Sequence, residues 1–328
     1  MKWLTDSWYR PRAIRIVLLP ISVLYQFVIA LRRLAYQASV LKQHKVDAPV
    51  IIVGNITVGG TGKTPTVIWL ATKLKKAGYN PGIISRGYGG YADNYPQDVR
   101  HNSDPRIVGD EPVIISQQTN CPMAVSPKRV DAAKFLIKEH QCDVIISDDG
   151  LQHYALARDI EIVVVDGLRG FGNHYCLPAG PLREPISRLR HIDFTISNGE
   201  NSNASYVMTL NPGPVINVAD KEVQQTLADF RDQTVHTLAG IGHPERFFNY
   251  LRDSGLIIEP HYFIDHHRFK AVDLHFNDNN PIIMTEKDAI KCRAFATDNM
   301  WYIPVKASIN NDLEKSILTQ LAGTNHHG

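Results

Sequence analysis

A strand that runs into a glycine cluster and then at once into Lys-Thr leaves a chain few folds to choose from. Residues 51–66 read IIVGNITVGGTGKTPT. The apolar run Val50–Val53 has strand character, Gly59, Gly60 and Gly62 form a turn around Thr61, and Lys63-Thr64 stand at the mouth of a helix. Glycines allow backbone N–H groups to approach phosphate oxygens. The lysine reaches the outer phosphates, and the threonine hydroxyl can ligate Mg²⁺. One departure is plain. The first glycine of G-x-x-x-x-G-K-[ST] is replaced by Thr57.

Further strand–helix units follow, so the expected fold is α/β. We expect a mostly parallel sheet of the P-loop NTPase type with helices on both faces, and a second, smaller α/β domain. Strands are expected at 81–85, 123–125, 142–147, 160–165 and 194–197. The polar run NGENSNAS (198–205) marks a boundary. The expected division is residues 1–45 as a membrane-associated helical segment of the first domain, 46–200 as the P-loop core and 201–328 as the smaller domain. In the last part, 206–210 and 215–218 read as paired strands joined at Asn211-Pro212-Gly213.

Several of these strands end in chemistry. Strand 81–85 runs into Arg86-Gly87-Tyr88-Gly89-Gly90, at a carboxyl edge where open α/β sheets bind ligands. Strand 142–147 ends in Asp148-Asp149, with His153 four residues on. An apolar strand ending in aspartate is the usual opposite wall of a phosphate loop and holds Mg²⁺ there. Asp110 and Glu111 open a helix, where acidic residues also serve as dipole-complementing caps. Arg183, beside Glu184 on a proline-rich loop, can clamp a phosphoryl group or sit in a surface ion pair. His266-His267 could be half of a zinc site, but no third ligand is spaced to complete it.

The N-terminal run 13–31 is apolar, yet Arg15, Ser22 and Gln26 interrupt it. On a helical wheel Arg12, Arg15, Ser22, Gln26, Arg33 and Gln37 collect on one side. Ile14, Val17, Ile21, Leu24, Val28 and Leu31 take the other. Basic residues flank both ends, which suits an amphipathic helix lying on a membrane surface better than a span. Net charge is +2, so no global field draws nucleic acid, and no obligate protein partner is expected. Four widely spaced cysteines suit reduced thiols.

Taken in order, VGNITVGGTGKTP, SRGYGG, GDEP, SDDGLQH, LPAGPLREP, GIGHPERFF, DHHRF and MTEKDAIK resemble the tetraacyldisaccharide 4'-kinase family, the lipid A 4'-kinases of Gram-negative bacteria. The resemblance runs from the N-terminal helix to about Lys291, and the family's loop also lacks the first glycine. It implies a kinase on the cytoplasmic face of the inner membrane, with ATP and Mg²⁺ as cofactors. The acceptor would be the 4'-hydroxyl of tetraacyldisaccharide 1-phosphate. By the same resemblance Gly59 to Thr64 bind nucleotide, and Thr64, Asp148 and Asp149 serve the metal. His153 and Arg183 are expected to face substrate, and so are Arg86 and Tyr88 from the place of their loop at a strand's carboxyl end. Lys63, Arg183 and an Asp110–His266 pair are catalytic, with His267 left as an alternative to His266. The rival reading is a membrane-recruited P-loop ATPase switch. That class carries a lysine just before the glycine pair, where this chain has Val58.

Overall fold

The structure, a computed structural model, describes residues 7–9, 14–200 and 204–324. Arg12, counted above on the helical wheel, lies outside the described residues.

In chain order the elements are helix α1 (Ile14–Gln37), strand β1 (Val50–Gly54), α2 (Lys63–Lys76), β2 (Pro81–Ser85), β3 (Gln97–Asp98), a single turn α3 (Pro105–Val108) and α4 (Asp110–Thr119). There follow β4 (Met123–Val125), α5 (Arg129–His140), β5 (Val144–Asp148), β6 (Ile160–Asp166), β7 (Phe194–Asn198), β8 (Tyr206–Pro212), β9 (Val215–Asn217), β10 (Gln224–Gln225), β11 (Thr234–Ala239) and α6 (Pro244–Asp253). The chain closes with β12 (Ile257–Tyr262), β13 (Ile282–Thr285), α7 (Glu286–Cys292), β14 (Met300–Ile303), β15 (Val305–Ile309) and α8 (Asn311–Thr324).

A nine-stranded sheet has the order β15-β8-β7-β6-β1-β5-β2-β4-β3, and a six-stranded sheet the order β10-β9-β14-β13-β11-β12. In the larger sheet only the edge strands β3 and β15 run antiparallel to their neighbours. Its central strands β1, β5 and β6 are buried on both faces, as the apolar runs Val50–Val53, Val144–Ile146 and Ile162–Val165 require. From β1 the chain moves to β2 on one side, and it later lays β6 to β8 on the other. The order therefore reverses at β1, and its carboxyl end opens the crevice where such sheets bind ligands.

The expected hairpin at 206–218 does not form. Strand β8 pairs with β7 and β15 in the larger sheet, while β9 pairs with β10 and β14 in the smaller. The cause is which core each strand fills. Met208 sits fully buried in the first core, whereas Val215 is buried in the second. Pro212-Gly213 is therefore a crossover rather than a hairpin turn. The chain crosses back at Pro304, whose carbonyl accepts from the Gly213 N–H at 2.8 Å. Residues 305–324 return to the larger sheet, and Leu313, Ile317 and Leu321 join its core. Among the described residues, 204–324 are thus divided between two sheets rather than gathered in one.

Helix α1 shows the wheel's apolar stripe turned outward. Val17, Ile21, Leu24, Val28 and Leu31 are all more than half exposed, as is Phe27 beside them. Its attachment is polar. Ser22, 1% exposed, donates to the Cys176 carbonyl at 2.7 Å, and the Tyr25 hydroxyl donates to the Arg183 carbonyl at 3.2 Å. Among the described residues this is the one helix long and apolar enough to cross a membrane.

Candidate active site

The phosphate loop is built from glycine backbone. Gly59 and Gly62 take φ values of 105° and 102°, a region closed to most side chains. A Cβ on Gly62 would also lie 2.6 Å from Met208 Cε. Gly62 caps α2 without any side-chain cap, and the helix has no acidic residue in its first turn. Free N–H groups and the positive end of the dipole therefore face the crevice together with Lys63. The loop is held from behind. Arg169 donates to the Gly60 carbonyl at 2.7 Å and is itself anchored on Asp166 at 3.0 Å.

Strand β5 lies beside β1 with Asp148 opposite Val53, so Asp148 and Asp149 stand next to the loop. They do different things. Asp149 receives Arg183 Nη1 on both carboxylate oxygens at 3.2 Å and has Lys63 Nζ at 3.6 Å. Burial alone would raise its pKa, but Lys63, Arg183 and Arg129 hold it below the usual range. Asp148 is 1% exposed, and its Oδ1 is buried without a hydrogen-bond partner among the described residues. Burial, Glu111 and Asp149 push its pKa up against Lys63 and Arg129. A buried carboxylate left short of positive charge fits a cation, so the residues present are suited to Mg²⁺.

The second cluster crosses between the sheets. Gly109 places Asp110 at the start of α4, packed so closely that a Cβ on Gly109 would lie 2.7 Å from the Tyr88 carbonyl. Asp110 is the first residue of α4, where its charge complements the helix dipole; it accepts from the Glu111 N–H at 2.9 Å and also faces His266 Nδ1 at 3.0 Å. His266 has φ 59° and lies on the loop after β12. Lys287, at the start of α7, reaches Glu111 at 3.0 Å, Asp265 at 3.2 Å and Asp110 at 3.9 Å. Burial would raise the Asp110 pKa, but His266, Lys287 and Lys291 outweigh it and hold it low. The bond to Asp110 raises the pKa of His266 against burial and Lys287. His267 turns away to Asp273 at 3.1 Å, so His266 is the imidazole that meets Asp110.

Between the clusters lies a cavity of about 440 Å³, which Arg32 of α1 joins to Arg86, Tyr88, Glu111, Asp148 and Asp149. Arg129, Arg183 and His153 also line it. The Tyr88 ring packs edge-on against His266 at 5.0 Å. Burial and the surrounding Arg129, Arg158, Arg32 and Arg86 drive the His153 pKa down to about 4, so this imidazole is neutral. Every site residue expected from the sequence lies in the loop, one of the two clusters or this cavity.

The family described as LpxK, tetraacyldisaccharide-1-P 4'-kinase, matches residues 14–322. The chain belongs to the tetraacyldisaccharide 4'-kinase family. Relatives of that name include a protein of Nitrosococcus oceani, 49% identical over 96% of this chain and 93% of the relative. Another, from Methylobacillus flagellatus, is 49% identical over 98% of this chain and 96% of its own. A crystal structure of LpxK from Aquifex aeolicus in complex with ATP superimposes with a TM-score of 0.78 at 26% identity, covering 94% of this chain and 99% of that one.

Within this family member, three residues joined the site without notice from the sequence. Arg129 is 5% exposed and donates to the Asp149 carbonyl at 3.1 Å. Arg169 braces the loop, and Lys287 ties the Asp110 cluster together. Lys287 stood within MTEKDAIK, yet a basic residue in a charged helical turn has no spacing signature of its own. Only its burial among three carboxylates distinguishes it.

Proposed function

We propose that this chain moves the γ-phosphoryl group of ATP to the 4'-hydroxyl of a tetraacyldisaccharide 1-phosphate at the cytoplasmic face of the inner membrane. The observation that carries the reading is the pairing of two different constellations across one cavity. A phosphate loop with Lys63, Arg183 and two aspartates lies on one side, and an ionised Asp110 bonded to His266 on the other. A nucleotide switch has use for the first and none for the second.

In this reading the N–H groups of the loop and Lys63 hold the β- and γ-phosphates. Asp149 keeps Lys63 and Arg183 converged on that point. Thr64 and Asp148 would hold Mg²⁺, which when bound supplies charge neutralisation to the phosphate oxygens. Asp110 takes the proton of the acceptor hydroxyl as its oxygen bonds to the γ-phosphorus and the bond to the β-phosphate oxygen breaks. ADP leaves. His266 orients Asp110 and sustains its charge, and Lys287 holds the pair across the two sheets. The cavity's guanidinium groups suit an anionic sugar headgroup. Tyr88, exposed beside His266, gives a sugar ring a surface to lie against. Arg32 places that cavity beside α1, so the headgroup enters from the side where the apolar helix face meets lipid.

The test is transfer of label from γ-labelled ATP to tetraacyldisaccharide 1-phosphate in mixed micelles. Labelled lipid that requires Lys63 and Asp110 supports the reading. ATP hydrolysis with vesicle binding and no labelled lipid would favour the switch.

A further inference from the structure

The smaller sheet carries a cluster that the kinase reading leaves unused. Strands β11 and β12 run parallel with His236 opposite Glu259, and His261 follows two residues later on the same face. His236 Nδ1 lies 3.0 Å from His261 Nε2 and 3.5 Å from Glu259 Oε2. All three ligand atoms fall within 4.8 Å of one another.

Two features make this more than a chance meeting of polar groups. First, the other nitrogen of His236 faces Asp278 Oδ1 at 3.0 Å. A carboxylate that accepts from Nε2–H fixes the tautomer and turns the Nδ1 lone pair toward the cluster. This is how metal-bound histidines are oriented. Second, both rings are held flat by Phe276, stacked on His236 at 3.8 Å and on His261 at 4.4 Å. His236 is 3% exposed, so its ring stack is held inside the protein, while the Glu259 and Asp278 carboxylates stand open to solvent on either side of it. An ion has an entry path, and one coordination position remains for water.

We propose that His236, Glu259 and His261 form a zinc-type site, with Asp278 as the orienting carboxylate. The donor set of two imidazoles and one carboxylate suits Zn²⁺ and its borderline-soft neighbours, and excludes Mg²⁺ and Ca²⁺, which take oxygen ligands. Zinc–nitrogen bonds of about 2.0–2.1 Å in a tetrahedron put the two nitrogens roughly 3.4 Å apart, so the ring pair needs to open only a few tenths of an ångström. The bound ion would clip the edge strand β12 to β11. The chain leaves β12 directly for Asp265 and His266, so the clip would stand at the root of the loop that carries His266.

The test uses full-length protein in detergent with millimolar Mg²⁺ present to fill oxygen sites. Zinc is titrated by calorimetry, and Co²⁺ serves as an optical probe of tetrahedral nitrogen coordination. The wild type should bind one more equivalent than the Glu259→Gln/His261→Ala double variant, and its Co²⁺ bands should vanish in that variant. Both substitutions are at side chains with solvent access, and phosphoryl transfer under Mg²⁺ checks that the variant is folded. Asp278→Asn should weaken zinc binding by roughly 10- to 100-fold, an effect that a plain His–His hydrogen bond would not produce. Equal zinc stoichiometry in wild type and double variant, or affinity indifferent to Asp278→Asn, would overturn the assignment.

Discussion

His266 Nδ1 stands 3.0 Å from Asp110 Oδ2, although the two residues are 156 positions apart, one opening helix α4 and the other on the loop that leaves β12 of the smaller sheet. Neither alone is a distinctive site. Asp110 by itself is a first-turn cap, and His266 by itself is a loop histidine. Brought together they form a carboxylate–imidazole pair suited to taking a proton from a hydroxyl. Asp110→Asn and His266→Ala should each lower kcat by roughly 10²- to 10⁴-fold with little change in the KM for ATP. Steady-state kinetics with both substrates varied measure this. Unchanged kcat in both variants alongside loss in Lys63→Ala would remove the pair from the mechanism.

The same bond makes a pH-dependent contribution to stability. His266 has a folded pKa raised by Asp110, so its contribution is full below the unfolded value and is lost as pH rises through the folded pKa. Asp110 has a folded pKa lowered on balance, so its contribution is present above the unfolded value and is lost as pH falls through the folded one. The pair therefore stabilises most in the mildly acidic range between these limits. Thermal melts of wild type and His266→Ala should differ most near pH 6 and converge toward pH 9. A Tm gap that widens with pH would contradict the assigned direction.

Lys287 sets the level of both groups. Its charge helps hold Asp110 low and opposes protonation of His266. Lys287→Met should lower kcat and move the acid limb of the kcat/KM profile to higher pH, because Asp110 then protonates more easily. A lysine with only a packing role would leave that limb in place. Lys287 lies 15% exposed, and replacement by the similarly long methionine keeps most of its stem packing.

The two adjacent aspartates should separate in experiment. Asp148 carries the unpartnered buried oxygen, whereas Asp149 is occupied by Arg183 and Lys63. Asp148→Asn should raise the Mg²⁺ concentration for half-maximal rate by at least roughly tenfold. Asp149→Asn should instead release the two cations and raise the KM for ATP. Magnesium titrations at fixed ATP distinguish them, and equal Mg²⁺ dependence in the two variants would count against the division of roles.

Much of this site is legible in the sequence, for a physical reason. Backbone-driven features leave local marks: glycines where N–H groups meet phosphate, and aspartates where an apolar strand ends. The resemblance to a kinase family then joined Asp110 to His266, which spacing alone could not. What stayed hidden depends on which core a strand fills. Asn211-Pro212-Gly213 carries a sound turn signal, but a turn signal does not say whether the chain doubles back or crosses to another sheet. Met208 and Val215 decide that by their separate cores. Arg129, Arg169 and Lys287 were hidden because a buried basic residue looks like a surface one until its carboxylates or carbonyls are in place. The wheel for α1 separates the apolar stripe meant for a membrane surface from the polar side, but it does not show that the polar side docks inward through Ser22.

That inversion makes the last prediction. A helix packed on its own protein buries its apolar stripe, whereas α1 docks through Ser22 and Tyr25 and leaves Val17, Leu24, Phe27 and Leu31 facing out. Each such side chain gains about 1.5–3 kcal/mol on full removal from water, so four of them supply strong partitioning into lipid even when partly immersed. Replacing these four with serine or glutamine should reduce co-sedimentation with anionic vesicles by more than roughly a hundredfold. The same variant should keep its Tm, since none of the four is buried. ATP binding should survive, while turnover of vesicle-borne lipid falls. Ser22→Val should do the reverse. It removes the donor to the Cys176 carbonyl at the docking seam, so vesicle binding persists while transfer drops, because Arg32 no longer reaches the cavity in register. If the four-residue variant still co-sediments at the wild-type level, the exposed stripe is not the membrane contact.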